Sequence, residues 1–342
     1  VTKLAEEGLM FTRAFSQPIC TPSRVQLLTG KHNYRNYESF GWLSPHEETF
    51  AEKLRAVGYK TAIGGKWQLS TPELDIEIDP ALAGSNVTPD IMRDYYGFER
   101  YSLWQLNYND NAGKGPRYWG AWHERDGVMT TLPQKDYGPD ANTDYLIDFM
   151  TEAVSDEKPF LAYFPTTLPH TPWVPTPWTT NGEATDKMHH IDNLGPNVEY
   201  LDHLLGRLMA AVKTLGIQDN TYIIFTSDNG TARNGVSETN AGPVRGEKAL
   251  LTVPGTHVPL IIVGPGIPAG QRDNRNVGLA DVSASIVELG GAGPAELDGI
   301  DLLATHTTAK DDDRPLYSWY DPLGRPFPKG SVAISGSQRL YN

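Results

Sequence analysis

The chain has 342 residues, of which 39% are apolar and 21% charged. That is ample material for one large or two modest globular domains, and it excludes a disordered or collagen-like chain. A formal charge of −13 argues against a nucleic-acid binder, although it leaves room for a local basic pocket that takes an anion. The single cysteine, Cys20, excludes an internal disulfide framework, and no apolar run is long enough to span a membrane.

Residues 1–7 predict the end of an amphipathic helix with Gly8 as its C-terminal cap, and 9–15 a short strand. Then comes Cys20-Thr21-Pro22-Ser23-Arg24, followed by an apolar run closed by Gly30. Pro favours a first helical turn and Gly the position past the last one, which predicts a helix over about 22–29. Cys20 then sits at a helix start, where free N–H groups and the dipole favour an anion, with Arg24 one turn on. The bland reading of a lone cysteine, a small buried hydrophobe, stays open at this point. Thr49 and Glu52 suit a capping box for a helix over 50–57, ended by Gly58. Residues 59–63 predict a strand, with Gly64-Gly65-Lys66-Trp67-Gln68 as the loop at its carboxyl end.

Residues 70–138, rich in Tyr, Trp, Asn and Gly, read as irregular. A helix is expected over 140–154, and a buried strand over 159–164 leads to Pro169-His170-Thr171-Pro172. An amphipathic helix over 198–215 follows, then a strand over 221–226 that runs into Ser227-Asp228-Asn229-Gly230. A strand over 258–263 and a helix over 279–289 complete the alternation. From about residue 300 the pattern changes to strands, at 316–320 and 331–334, without crossover helices.

Helices alternating with β-branched strands predict an α/β fold: a mostly parallel central sheet with helices on both faces. The expected domains are a catalytic one over 1–300 and, over 301–342, the start of a small antiparallel C-terminal subdomain. In such sheets ligands bind beyond the carboxyl ends of the strands. Cys20, Lys66, His170 and the Asp228-Asn229 pair all follow predicted strands. Each has an ordinary reading on its own, as a solvated lysine, a loop histidine between prolines or an Asp-Asn-Gly turn. All of them at strand ends is harder to assign to turn chemistry.

The string Cys20-x-Pro22-Ser23-Arg24-x-x-Leu27-x-Thr29-Gly30 resembles the signature of the type I sulfatases, formylglycine-dependent members of the alkaline phosphatase superfamily. The resemblance extends along most of the chain. Gly58-Tyr59 through Gly65-Lys66-Trp67 resembles the second signature, and Pro159-Phe160 through His170 the strand that delivers a sulfate-binding histidine. Phe225 through Gly230 matches the metal-binding string, and Arg245-Gly246-Glu247-Lys248 falls where the family has a second sulfate-binding lysine.

The resemblance implies roles residue by residue. Cys20 is the precursor of formylglycine (3-oxoalanine), whose hydrate supplies the nucleophilic oxygen. Arg24 holds that group, and Lys66, Lys248 and His170 bind sulfate oxygens, with His170 or a lysine protonating the leaving alkoxide. Asp228 and Asn229 are oxygen ligands to a divalent cation, Ca²⁺ first and Mg²⁺ second. Implied partners are a sulfated small molecule or oligosaccharide and a formylglycine-generating maturation enzyme, with no nucleic acid and no membrane span. The implied location is periplasmic or secreted.

Three departures from the family pattern stand out. The Asp-Asp pair that ends the family's opening strand has no counterpart, which reads as a fragment of a longer product that also stops within its C-terminal subdomain. Gln68 stands where the family has histidine; it hydrogen-bonds but does not titrate near neutrality. Val253-Pro254-Gly255-Thr256-His257 stands in place of a Glu-Gly-Gly-x-Arg string, which loosens the register around Lys248. Trp104, Tyr108, Arg117, Tyr118, Trp119, Trp122, Trp173 and Trp178 suggest sugar-stacking walls, or equally aromatics that pin loops. Competing readings are a phosphonate or phosphate ester hydrolase of the same superfamily and an inactive homologue that binds sulfated glycans.

Overall fold

The computed structural model describes residues 1–70, 87–106, 115–182, 184–239, 242–293, 296–304, 314–322, 329–335 and 338–341. Two units emerge, one of Val1–Phe50 with Ile217–Asn342 and one of Ala51–Gly216.

In the first unit, strand Leu9–Phe15 lies between Gln271–Gly278, to which it is parallel, and His257–Val263, to which it is antiparallel. Ile223–Thr226 closes the sheet, antiparallel to His257–Val263. Leu260, Ile261 and Ile262 are buried in succession, so this strand is covered on both faces. Gly8, expected as a left-handed cap, is extended instead; it is glycine because a Cβ there would come within 2.4 Å of the Ile262 carbonyl oxygen. Helix Cys20–Thr29 is buried along its whole length and packs on helix Leu279–Leu289. It begins two residues before the expected start and ends at Gly30, left-handed at φ 66°, whose N–H donates to Gln26 O at 2.9 Å.

Strands Leu316–Tyr320, Gly330–Ser335 and Gln338–Tyr341 form an antiparallel sheet, as the change of pattern predicts. Its inner residues Leu316, Val332 and Ile334 pack with Phe15 and Leu251, and the sheet falls within the first unit.

The second unit holds a five-stranded sheet in the order Val128–Thr131, Trp122–Arg125, Arg100–Trp104, Lys60–Lys66, Phe160–Tyr163. Lys60–Lys66 is parallel to both its neighbours, whereas the other two pairings are antiparallel. The α/β class therefore holds, with sheets that are mixed rather than mostly parallel. The stretch 70–138 is not irregular throughout: three of these strands and helix Pro89–Asp94 lie in it. The strand at Lys60 also runs on through Gly64 and Gly65 to Lys66. A Cβ on Gly65 would come within 2.3 Å of the Pro165 carbonyl oxygen, so glycine lets the neighbouring segment close in.

His123 is fully buried in this sheet, and neither ring nitrogen has a hydrogen-bond partner among the described residues. Burial first, and the Arg125 charge second, push its pKa down to about 3. The unfolded chain takes up a proton near pH 6.5 and the folded chain does not, so stability is full above that pH and falls below it. Between pH 7 and 4 this one group removes about 3 kcal/mol. His123→Leu is therefore expected to flatten the acid limb of the urea-unfolding midpoint; equal pH slopes in both proteins would refute the assignment.

Candidate active site

Cys20, Arg24, Asp228, Asn229 and Lys248 fall in the first unit, and Lys66, Gln68 and His170 in the second. Cys20 is the first residue of its helix, and the preceding Ile19 supplies no side-chain cap. The turn is braced by its neighbours. Ser23 Oγ donates to Ile19 O and Gln17 O at 2.9 and 3.0 Å, Asn33 Nδ2 donates to Pro22 O at 2.8 Å, and Thr21 Oγ1 accepts from Gly41 N at 3.2 Å. Ser23 is thus a brace. Cys20 is 3% exposed and packs with Ile19, Phe40, Ala249 and Tyr320. Arg24 is equally buried, an expensive placement for a guanidinium unless anions or dipoles meet it.

Backbone hydrogen bonds settle where Lys248 lies in this unit. Its N–H donates to Thr231 O at 3.1 Å and its carbonyl accepts from Arg233 Nε at 3.1 Å, while Ala249 N–H donates to Pro18 O at 2.7 Å. Lys248 is therefore tied at once to the segment after Asn229-Gly230 and to the loop before Cys20. Ala249 holds a left-handed φ of 73°, a strained state for a non-glycine residue that the surrounding contacts enforce.

Asp228 and Asn229 follow strand Ile223–Thr226 in a turn pressed against Pro254-Gly255. Gly230 N–H donates to Gly255 O at 3.0 Å, and a Cβ on Gly230 would sit 1.9 Å from Pro254 O, so only glycine fits. Asn229 Nδ2 donates to Gly230 O at 2.9 Å. This leaves Asn229 Oδ1 buried with no hydrogen-bond partner among the described residues. A carboxylate beside an amide oxygen of that kind fits a hard cation. The pair is only part of a shell, and no group of three or more His, Cys, Asp or Glu able to hold a metal occurs among the described residues.

In the second unit, Lys66 ends its strand, only 6% exposed, with its N–H on Pro165 O at 2.8 Å. It lies in the strand and not in the loop expected after it. Trp67 is fully buried, its ring 4.8 Å from that of Tyr96. Gln68, left-handed at φ 52°, donates its N–H to Gln105 O at 2.9 Å. His170 lies between the cis peptides Leu168–Pro169 and Thr171–Pro172. Its Nδ1 is 2.9 Å from Arg117 Nη1 and 2.8 Å from Thr171 O. Arg117 stacks on Trp104, 4.1 Å from the ring centroid.

Sequence reasoning grouped Arg117 with a stacking wall and missed it as the partner of His170; no local motif marks a contact 53 residues away. The wall itself is mostly core. Trp104, Tyr118, Trp119 and Trp173 are buried, Trp122 is half-buried, and Trp178 is exposed. Tyr108 lies outside the described residues.

The family model described as Sulfatase matches residues 1–292. Among curated proteins, the N-acetylgalactosamine-6-sulfatase of Canis lupus familiaris is 26% identical over 345 residues, covering 92% of this chain and 62% of that protein. The ulvan-active sulfatase of Formosa agariphila is 26% identical over 321 residues, covering 84% and 55%. The chain thus spans less than two thirds of the length of these relatives. Among solved structures, the crystal structure of Ps i-CgsB aligns with a TM-score of 0.79 at 22% identity over 99% of this chain and 77% of that one, a likeness of fold.

Proposed function

The chain belongs to the sulfatase family, and on that premise we propose that it hydrolyses sulfate esters of a sulfated carbohydrate. The observation that carries the reading is the clustering in one unit of a buried cysteine at a helix start, a buried Arg24, the Lys248 backbone tied between them and Asn229, and an unpartnered Asn229 Oδ1. The names of the two curated relatives, one for a sulfated N-acetylgalactosamine and one for ulvan, support a carbohydrate substrate.

Each residue type suits a step. A sulfate ester is a tetrahedral centre whose oxygens must be held while negative charge develops on the leaving oxygen. Lys66, Lys248 and His170 bind those oxygens and stabilise that charge. Arg24, rigid and always charged, orients the group at position 20. Oxidation of Cys20 to formylglycine supplies an aldehyde whose hydrate has an oxygen nucleophile that the thiol lacks. Gln68 adds a neutral hydrogen bond where a titrating residue would otherwise stand. Asp228 and Asn229 would hold the divalent cation, Ca²⁺ on the chemistry of their oxygens, and that ion supplies Lewis-acid stabilisation when bound. A maturation enzyme that oxidises Cys20 is the implied partner. A periplasmic or secreted location suits a polymeric glycan, which does not cross membranes unaided.

The test is a panel of sulfated mono- and oligosaccharides, run beside phosphonate and phosphate esters, with free anion measured by ion chromatography. Sulfate release from at least one sugar is expected from protein matured in its native host. Faster release from phosphonates or phosphates would move the chain to the other branch of the superfamily. Binding of sulfated sugars without turnover would leave an inactive glycan-binding protein.

A further inference from the structure

We propose that the second unit carries a binding site for an anionic polysaccharide, formed by the exposed Trp178 and a hollow beside it. The choice of a glycan rests on the sulfatase reading. The site is a further hold on the polymer, besides the residues named for the reaction, and its first test does not depend on turnover.

Trp119, Gln134, Lys135, Pro177, Thr180 and Thr185 line a hollow of about 550 Å³, all within the second unit. Sites for small ligands and single sugars fall in the range of about 300–1,000 Å³. The floor is fixed. The Trp119 indole N–H donates to Pro175 O at 2.8 Å, its ring lies 4.9 Å from that of Tyr137, and its backbone N–H donates to the Asp186 carboxylate at 2.9 Å. Gln134 Nε2 donates to Ala184 O at 3.2 Å, which ties one wall to the other.

The polar groups of the hollow are donors. Thr180 Oγ1 accepts from Gly182 N–H at 3.2 Å and Thr185 Oγ1 from Lys187 N–H at 3.3 Å, which leaves each hydroxyl its own proton to give. Lys135 is exposed and makes no ion pair among the described residues, in contrast with Lys31 and Lys60. Hydroxyl donors around a cation suit a ligand rich in acceptor oxygens and negatively charged, a sulfated or carboxylated sugar. An apolar protein surface would strand the same donors. The chain as a whole, at a formal charge of −13, repels a polyanion, so attraction has to be local.

Trp178 adds a platform. It follows Pro177 directly and is 57% exposed, the only tryptophan among the described residues left so far in water. It is nevertheless held. Its ring lies 5.1 Å from that of Tyr200 and 4.7 Å from that of His203, and Tyr200 is itself fixed by its hydroxyl on Asp140 at 2.7 Å. The turn that carries it is closed by the N–H groups of Thr179 and Thr180 on Thr176 O at 3.0 and 2.9 Å, and by Thr176 N–H on Thr179 Oγ1 at 3.0 Å. A sugar ring has an apolar C–H face that stacks on an indole as other apolar surfaces do. An indole fixed in advance loses little conformational freedom when it is covered.

The experiment is native electrophoresis of the full chain through gels that hold a sulfated galactan, a polyuronate without sulfate, or a neutral galactan. Retardation by an anionic polymer and not by the neutral one is expected. The sulfated galactan alone would identify sulfate as the group that Lys135 meets, and both polymers a negative charge of either kind. Trp178→Ala should weaken the polymer affinity roughly tenfold and Lys135→Met roughly threefold, while Trp178→Phe keeps most of it. No retardation, equal retardation by the neutral galactan, or unchanged affinity in Trp178→Ala or Lys135→Met overturns the proposal. So does an equal loss in Lys213→Met, which removes an exposed lysine of the same unit and so reports bulk charge. In matured protein, Trp178→Ala should also lower the ratio of sulfate release from polymer to that from a sulfated monosaccharide. Retardation that depends on Trp178 in a protein that releases no sulfate would sink the sulfatase reading and leave this site standing. Sulfate release with retardation indifferent to Trp178 would do the reverse.

Discussion

Cys20→Ala is expected to lower sulfate release at least about a thousandfold, because it removes the thiol through which Cβ is oxidised to the aldehyde whose hydrate is the nucleophile. The fold should survive. Alanine is the best helix former, and position 20 is the first residue of a helix whose turn is braced by Ser23, Asn33 and Thr21. Deleting one sulfur from the cluster of Ile19, Phe40, Ala249 and Tyr320 leaves a small void, a cost of about 1 kcal/mol. The thermal midpoint should therefore move by only a few degrees while turnover vanishes. Two measurements decide the matter. Mass spectrometry of the Cys20 peptide from fully active native-host protein should show an aldehyde or its hydrate; an intact thiol there would end the formylglycine reading. Turnover by Cys20→Ala near the wild-type rate would end any role for position 20 in the chemistry.

How much of this was legible in the sequence depended on where the information lies. The Cys20 helix, the strand before Asp228 and the helix at Leu279–Leu289 were legible because apolar spacing and Pro or Gly punctuation are local. Several strands escaped, and for different reasons. Gln271–Gly278 carries Asp273 and Arg275, which look like surface residues but bury each other as an ion pair, with Arg275 Nη2 also donating to Leu302 O at 3.0 Å. The hairpin from Trp122 to Thr131 had a signal that was passed over. Asp126-Gly127 is a two-residue turn, with φ values of 46° and 88°, between strands that pair in register. The stretch around it, rich in Tyr, Trp, Asn and Gly, read as irregular, with its aromatics equally stacking walls or loop pins; most of them are core.

The site divides in the same way. Cys20, Lys66, His170, Asp228 and Asn229 are proposed as site residues from motifs at strand ends. For Lys248, whose register the unusual 253–257 string loosens, the sequence gives no local place, and the hydrogen bonds from Lys248 and Ala249 to Thr231 and Pro18 show where its backbone lies in the first unit. Arg117 had no signal at all, since its meaning is a contact with a residue far along the chain. Local chemistry is readable from order; partnership between distant residues needs the fold.

Asn229→Leu and Asp228→Ala are expected to abolish the stabilisation that a divalent cation gives the wild type, and with it turnover. Asn229 Oδ1 is a buried acceptor with nothing to accept from among the described residues. Such an orphan costs about 1–3 kcal/mol. In the ion-free protein, Asn229→Leu removes that cost and loses only the local bond from Nδ2 to Gly230 O, worth about 1 kcal/mol. The ion-free variant should therefore be as stable as the ion-free wild type or slightly more so. Adding Ca²⁺ at a hundred times its dissociation constant should stabilise the wild type by about 2.7 kcal/mol and leave the variant unchanged, so the order of the two proteins reverses. Asp228→Ala should lose the same increment, whereas a distant surface carboxylate changed in the same way should not. The readout is the unfolding midpoint with and without Ca²⁺, taken beside metal content after dialysis. If Asn229→Leu is destabilised equally in both conditions, the Asp228-Asn229-Gly230 segment is a structural turn and the metal assignment fails. If the midpoints cross, an unpartnered amide oxygen has been shown to be one half of a bond whose other half is an ion.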